Sequence, residues 1–176
     1  ETGTKLAKQL GGRLRLAICG GAPLSPPIAE TFIGLGLTIL QGYGMTETSP
    51  VISVNTLKEN LPLSVGKALP GVEIRVGDNQ ELLVKGPNIM LGYWQLTDSI
   101  IDSMGWLHTG DQARIDAQGY IFITGRIKEI IVLSSGEKVP PEDLQLAIAI
   151  DTIFEQVLVI GESRPYLTAI AVLNPS

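Results

Sequence analysis

An apolar run at residues 37–40 leads directly into the segment 41–47, which reads QGYGMTE and contains two closely spaced glycines. Such a run is typical of a buried strand followed by a tight loop, because glycine follows sharp turns without steric cost. Backbone N–H groups of the loop can bind an anion, and Thr46 adds a hydroxyl donor. Glu47 offers a carboxylate for a hard cation, and Tyr43 offers a flat face for a base. The segment predicts a site for a nucleotide phosphate and its metal ion; a solvated turn with a helix-capping threonine is the alternative.

The residues before this segment predict a βαβ unit. A strand at about 14–19 runs into Gly20 and Gly21, and the serine and prolines at 25–27 would start a helix over about 26–34. Because the carboxyl ends of parallel strands meet at one edge of an α/β sheet, both glycine segments are expected at a ligand-binding edge. The alternative is that these glycines only permit a tight strand-to-helix turn.

The rest of the chain predicts two further layers of structure. Between residues 50 and 125, short β runs alternate with turn residues, and hairpins at about 72–85 and 111–124 indicate a small distorted antiparallel β-barrel. After residue 128 a strand, a proline-led helix and two strands at 157–161 and 168–173 indicate a partial α+β domain. The predicted fold class is therefore α/β plus β.

Composition excludes several function classes. The net charge is −5 and no Lys/Arg cluster is present, which excludes a nucleic-acid surface. His108 is the only histidine and Cys19 the only cysteine, so a zinc cluster of His and Cys ligands is excluded. We expect Cys19 to be a small buried strand residue. No apolar run approaches the roughly 20 residues that span a bilayer, and cytoplasmic residence is the expectation.

Five segments make the pattern specific. In order, the chain contains GGAPLS, QGYGMTE, SVGKALPGVEIRV, ELLVKGPNIMLGYW and GWLHTGDQARIDAQGYIFITGRIKEIIVLSSGEKVPPEDL. Over about residues 14–175 this series resembles the adenylate-forming, AMP-binding enzymes, a superfamily of acyl- and aryl-CoA ligases, peptide-synthetase adenylation domains and beetle luciferases. The segments GPNIMLGYW and SSGEKVPPEDL and the ending IFEQVLVIGESRPYLTAIAVLNPS look most like bacterial long-chain fatty-acid–CoA ligases.

The resemblance implies a two-step reaction in a longer parent protein. A fatty-acid carboxylate attacks the α-phosphate of ATP with Mg²⁺, giving an acyl-adenylate and pyrophosphate, and the thiol of CoA then displaces AMP. Positioning and charge neutralisation would supply most of the catalysis. The family's upstream phosphate loop and its C-terminal lysine have no counterpart in the sequence, so we expect the isolated chain to be inactive. Exposed contact faces favour self-association, and peripheral membrane association is an expectation for the parent.

The resemblance also implies a division of the chain into four parts. Residues 1–50 would be the end of a large α/β AMP-binding domain, 51–126 a β-barrel subdomain, 127–128 a hinge that includes Lys128, and 129–176 a partial C-terminal α+β domain. Gln80 stands where the family usually has glycine before a Glu-Leu pair, which makes the turn there a point to examine.

Individual roles follow from the same resemblance. Thr46 would bind the α-phosphate and Glu47 the Mg²⁺ ion, and these two are the candidate catalytic residues. Asp111 would accept the ribose hydroxyls, because a carboxylate with two acceptor oxygens suits a vicinal diol, and Arg126 would reach the ribose and phosphate. Gly136 would let the pantetheine arm of CoA pass close to the backbone. The remaining candidate nucleotide-binding residues are Gly21, Ala22, Pro23, Gln41, Gly42, Tyr43, Gly44 and Met45.

Each role has a plainer alternative. Asp111 and Arg126 could form a structural ion pair, and Lys128 could be a solvated charge. We expect the aromatic residues Tyr93, Trp94 and Trp106 to pack in a core and His108 to be structural. For the parent, one alternative function is a fatty-acyl-AMP ligase that loads a carrier protein. The other is a non-catalytic relative that binds nucleotide or acyl groups.

Overall fold

The computed structural model describes residues 2–22, 24–95 and 99–175. The described residues form two compact units. The first unit contains residues up to 109 together with 113–123, and the second contains 110–112 together with residues from 124 onward. The predicted four-part division of the chain stays a prediction.

The first unit begins with the predicted strand–helix–strand order. Its elements are α1 (Thr2–Gln9), β1 (Leu16–Cys19), α2 (Pro26–Gly34) and β2 (Thr38–Gly44). Strands β1 and β2 are parallel, in a register that runs from Leu16 opposite Thr38 to Cys19 opposite Gln41. This pairing confirms the βαβ unit. Cys19 is half-buried in the described structure rather than fully enclosed.

Strand β2 continues further than the sequence predicted. Its last three residues, 42–44, pair antiparallel with β3 (Val51–Val54), so the prediction of a loop at 41–44 is wrong. The chain reverses later, in a single 3₁₀ turn at Thr46–Thr48. A Cβ atom on Gly44 would lie 1.8 Å from the carbonyl oxygen of Pro50. Glycine is therefore required at 44 because the backbone that returns into β3 passes so close, and not because the strand bends there.

Residues 55–62 form a loop that makes hydrogen bonds with the part of β2 that does not pair with β3. Asn55 is 1% exposed, and its backbone N–H donates to the carbonyl oxygen of Gln41 at 2.8 Å. The side-chain amide of Gln41 donates to the carbonyl oxygen of Pro62, and that of Asn60 donates to the carbonyl oxygen of Ile39 at 3.0 Å. Side-chain amides thus bind backbone groups where a neighbouring strand would otherwise pair with them.

The remaining strands, which lie wholly or partly in the first unit, surround one core. They are β4 (Lys67–Ala68), β5 (Glu73–Val76), β6 (Glu81–Lys85), β7 (Leu107–Ile115) and β8 (Ile121–Arg126). One sheet has the order β1-β2-β3-β4 and the other the order β5-β6-β7-β8. The buried core cluster draws on both sheets and consists of Ile52, Leu82, Val84, Ala113 and Ile121. The strands predicted as a small distorted barrel therefore belong to two sheets, and the first of these also contains the βαβ strands.

The predicted hairpin at 72–85 is confirmed, since β5 and β6 pair antiparallel from Glu73 opposite Lys85 to Val76 opposite Leu82. Its turn is a 3₁₀ turn, Asp78–Gln80, in which Asn79 and Gln80 have φ of 53° and 61°. Gln80 thus adopts the left-handed conformation that glycine reaches more readily.

Among the described residues after Arg126, the second unit contains a 3₁₀ turn at Ile127–Glu129 and five regular elements. These are β9 (Ile131–Val132), β10 (Lys138–Val139), α3 (Pro141–Ala149), β11 (Phe154–Ile160) and β12 (Thr168–Leu173). Strands β9 and β10 pair antiparallel, as do β11 and β12, and α3 packs on β11. All residues of β12 are exposed. Within the described ranges, no helix has the length and apolar character needed to cross a bilayer.

The close approach at Gly44 gives a stability prediction. Gly44→Ala should lower the free energy of unfolding by about 3 kcal/mol, because the added methyl group meets backbone that cannot move without opening the β2–β3 pair. Urea unfolding of the chain measures this difference.

Gly34→Ala is the matched control. A Cβ atom at Gly34 would meet nothing within 4 Å, and the residue ends helix α2. Alanine there should be neutral or stabilise by up to about 1 kcal/mol. Equal urea midpoints for the two variants would contradict the packing role of Gly44.

Candidate functional site

The turn that carries Thr46 and Glu47 is fixed from inside by Thr48, which is fully buried. The hydroxyl oxygen of Thr48 lies 2.9 Å from the carbonyl oxygens of both Met45 and Pro50, and it accepts the backbone N–H of Met45 at 3.1 Å. The sequence pattern allowed a capping role for Thr46 as an alternative, whereas Thr48 supplies these bonds. Thr46 itself is exposed, so its hydroxyl faces solvent at the surface of the unit.

Three groups from residues 88–93 hold the same turn from outside. The side-chain amide of Asn88 lies 3.0 Å from the carbonyl oxygens of Thr48 and Val51, and the backbone N–H of Met90 donates to the carbonyl oxygen of Glu47 at 2.9 Å. The hydroxyl of Tyr93 donates to Oε1 of Glu47 at 2.5 Å. This hydrogen bond to the Glu47 carboxylate raises the pKa of Tyr93. Glu47 is thus held through both its backbone and its side chain.

The glycine segment after β1 lies beside the end of β2. Cys19 is opposite Gln41, and a Cβ atom on Gly20 would lie 3.3 Å from the carbonyl oxygen of Gly42. The structure therefore brings the candidate residues Gly21 and Ala22, which follow Gly20, to the sheet edge where residues 42–45 lie. Pro23, a further candidate, lies outside the described residues.

Two candidates of β2 have structural contacts. The side-chain amide of Gln41 donates to the carbonyl oxygen of Pro62, and Gln41 is buried. Tyr43 is half-buried and packs against the core cluster that contains Ile52. Gly42 and Gly44 face the returning β3 backbone, and Met45 precedes the 3₁₀ turn.

Asp111 and Arg126 form an ion pair in the second unit. Asp111 is buried on β7, and its Oδ1 lies 3.2 Å from Nε of Arg126. The Arg126 side chain is 63% exposed, and its Nη1 lies 3.7 Å from Oε1 of Glu129. The guanidinium thus lies between two carboxylates, and most of its surface remains open to a further anion.

Glu142, at the start of α3, belongs to the same charged neighbourhood. Burial raises the pKa of Glu142, and the nearby Glu129 and Asp143 carboxylates raise it further, while Arg126 acts in the opposite direction. The carboxyl group of Glu142 thus lies near Arg126 together with the Glu129 carboxylate.

The other two candidates of the second unit lie on its surface. Lys128 is exposed within the 3₁₀ turn. Gly136 has φ of 83°, and its N–H donates to the carbonyl oxygen of Leu133 at 2.8 Å. This left-handed conformation favours glycine whether or not a ligand passes nearby.

Several contacts were not visible in the sequence. Nδ1 of His108 lies 2.8 Å from Oε2 of Glu81, a carboxylate 27 residues away, and strand order alone brings the two together because β6 and β7 are neighbours. Trp94 is 87% and Tyr93 42% exposed, so their predicted place in a core is wrong for the described chain. Trp106 is half-buried, with the guanidinium of Arg75 4.3 Å from its ring centre.

The loop before β7 is closed by one carboxylate. Oδ1 of Asp102 accepts the backbone N–H groups of Trp106 at 2.8 Å and Met104 at 2.9 Å. The bond from Trp106 is the main cause that lowers the pKa of Asp102. We assign this carboxylate to the loop structure.

Comparisons with known proteins agree with this architecture. The model of the AMP-binding enzyme family matches residues 1–94, and the model of the AMP-binding enzyme C-terminal domain matches residues 128–176. Long-chain-fatty-acid–CoA ligase FadD15 of Mycobacterium bovis is 37% identical over 97% of this chain and 29% of its own length.

Two solved structures are similar in fold. The o-succinylbenzoate CoA synthetase of Bacillus subtilis, in complex with its acyl-adenylate intermediate, is 26% identical with a TM-score of 0.82, over 98% of this chain and 40% of that one. ATP-bound MatB from Rhodopseudomonas palustris is 32% identical with a TM-score of 0.81, over 95% of this chain and 37% of that one. The chain thus spans less than a third of the FadD15 ligase. On the match to residues 1–94 and 128–176, it belongs to the AMP-binding enzyme family.

Proposed function

We propose that this chain is part of an ATP-dependent long-chain fatty-acid–CoA ligase. The reaction joins a fatty-acid carboxylate to AMP, releases pyrophosphate, and then transfers the acyl group to the thiol of CoA with release of AMP. The observation that carries the proposal is the 37% identity to a long-chain-fatty-acid–CoA ligase over nearly the whole chain. The solved relatives with bound ATP or acyl-adenylate support the nucleotide chemistry.

In this proposal the first unit contributes to the phosphate end of the nucleotide site. Thr46 is exposed and its hydroxyl can donate to the α-phosphate, beside backbone N–H groups at the end of β2. Glu47 lies next to it on a turn that is held from both sides. Adenine would lie against Tyr43 and residues 21 and 22.

A magnesium ion fits Glu47 as a single carboxylate ligand. Mg²⁺ keeps several waters and is usually held by one or two carboxylates together with substrate phosphates. Among residues 2–22, 24–95 and 99–175, no three His, Cys, Asp or Glu side chains form a metal cage. When bound, the ion would neutralise charge on the phosphates.

The second unit would bind the ribose and CoA. The buried Asp111 carboxylate suits the ribose diol, and the open face of Arg126 suits an anion such as phosphate. The ion pair between them is compatible with this role, because 63% of the Arg126 side chain remains exposed to a further partner. Lys128 would lie at the hinge and Gly136 beside the pantetheine arm.

Product analysis tests the whole proposal. The chain, and the longer protein of which we propose it is a part, are incubated with ATP, Mg²⁺ and fatty acids of several lengths, with and without CoA. We expect acyl-CoA from the longer protein only when CoA is present, and no product from the chain alone. Acyl-adenylate that accumulates unchanged with CoA would indicate a ligase that loads a carrier protein, and no product at all would indicate a non-catalytic relative.

The ribose role of Asp111 gives a second prediction. In the longer protein, Asp111→Asn should reduce kcat/KM for ATP. The reduction should correspond to a loss of about 1–3 kcal/mol of transition-state stabilisation, because hydrogen bonds to a charged acceptor are lost. Asp78→Asn, in the exposed turn between β5 and β6, is the matched control and should leave the kinetics unchanged. Unchanged ATP kinetics in Asp111→Asn would refute the ribose role.

We also expect the isolated chain to self-associate through the sheet of β11 and β12. The register places Leu158 opposite Ile170, and these side chains are 54% and 55% exposed, whereas Val159, on the opposite face, is buried. Strand β12 carries no charge, so two copies can pair without repulsion. Light scattering should give a mass above 18.8 kDa that returns to the monomer value in Ile170→Lys but not in the control Leu57→Lys, which is 70% exposed in the first unit. A monomeric mass for the unsubstituted chain would contradict this expectation.

A further inference from the structure

We propose that Tyr93 is a positioning residue that orients the Glu47 carboxylate for the cation. This inference rests on the proposed function, in which Glu47 is the magnesium ligand, and goes beyond it by assigning a role to a residue 46 positions away. Tyr93 touches neither nucleotide nor reacting atoms in the proposal. It acts only through Glu47.

Hydrogen bonds to its carbonyl groups fix the backbone of the turn that carries Glu47. The Met90 N–H holds the Glu47 carbonyl at 2.9 Å, and the Asn88 amide holds the next carbonyl, that of Thr48, at 3.0 Å. The buried hydroxyl of Thr48 binds both ends of the turn. With the turn fixed in this way, the direction of the carboxylate depends on the side-chain torsions of Glu47 alone.

Tyr93 restricts those torsions. Its hydroxyl donates to one carboxylate oxygen, Oε1, at 2.5 Å. Among the described residues, no other group forms a hydrogen bond with the second oxygen, Oε2, which leaves that oxygen for a cation. A Tyr hydroxyl is suited to this task, because it donates one hydrogen bond from a rigid ring and carries no charge that would repel the cation.

The exposure of Tyr93 argues against a purely structural role. The residue is 42% exposed, and Trp94 beside it is 87% exposed, so neither contributes a buried side chain to the core of the described chain. The ring of Tyr93 lies at the surface, next to the carboxylate of Glu47. Its hydrogen bond is therefore the main contact that a change to phenylalanine removes.

The test measures cation binding directly. In the longer protein, Mn²⁺ is titrated in the presence of a non-hydrolysable ATP analogue and followed by electron paramagnetic resonance, which needs no turnover. Tyr93→Phe should weaken Mn²⁺ binding roughly 10-fold, as is usual when a group that orients a metal ligand is removed. The apparent KM for Mg²⁺ should rise by a similar factor, and the thermal unfolding midpoint should stay at the wild-type value.

Two further variants separate this inference from the proposed function. Glu47→Gln should weaken Mn²⁺ binding more than Tyr93→Phe does, and adding Tyr93→Phe to Glu47→Gln should have no further effect. Tyr166→Phe is the matched control, since Tyr166 is 59% exposed and its hydroxyl forms no hydrogen bond within the described part of the chain. It should bind Mn²⁺ like the wild type.

Each other outcome overturns a stated claim. If Glu47→Gln binds Mn²⁺ normally, the metal role in the proposed function fails. If Glu47→Gln weakens binding and Tyr93→Phe does not, the proposed function stands and the positioning role fails. Tighter binding in Tyr93→Phe would show that the hydroxyl competes with the cation, and an equal loss in Tyr166→Phe would show that the effect is not specific; both results overturn the inference.

Discussion

The structure of the first unit depends on how the backbone of β2 is divided between its neighbours. Residues 38–41 pair with the parallel strand β1, and residues 42–44 pair with the antiparallel strand β3. Where β3 ends, Asn60 and Asn55 supply the missing hydrogen bonds from a loop. A buried strand with unpaired carbonyl groups would be costly. The arrangement lets one strand link a parallel layer to an antiparallel one and deliver Thr46 and Glu47 at its end.

Local patterns predicted the parts of the fold that depend on neighbouring residues. Helix α2 and the parallel strands follow from the proline-led start and the apolar runs, and the β5–β6 hairpin follows from alternation around a turn. The extension of β2 through Gly44 was missed because glycine is required there by the carbonyl oxygen of Pro50. That oxygen lies close to Gly44 only when β3 pairs with β2. The turn at Gln80 was singled out in the sequence, and its left-handed backbone follows from the hairpin pairing and not from the preference of glutamine.

The sequence gives hypotheses for the ligand-facing residues of the candidate site, and it does not indicate the residues that support them. Side chains such as Thr46, Glu47, Asp111 and Arg126 stand within sequence motifs, so their chemistry could be inferred from neighbouring letters. The contacts of Tyr93 with Glu47 and of Glu81 with His108 join residues far apart in the chain. Strand order and loop path determine such contacts, and periodicity carries no information about either. The Asp111–Arg126 pair was open as an alternative, and the structure shows it formed.

The close approach at Gly44 bears on how motifs are used to infer activity within a family. One position of the QGYGMTE segment is constrained by backbone packing, since a side chain at Gly44 would collide with Pro50. The side chains of Thr46 and Glu47 are free of that constraint, because Thr48 and Met90 hold the turn without using either of them. We therefore expect a relative without the proposed activity to keep Gly44 and to be free to change Thr46 and Glu47. Glycine at position 44 is evidence of this fold, whereas only the identities of residues 46 and 47 bear on the proposed catalytic role.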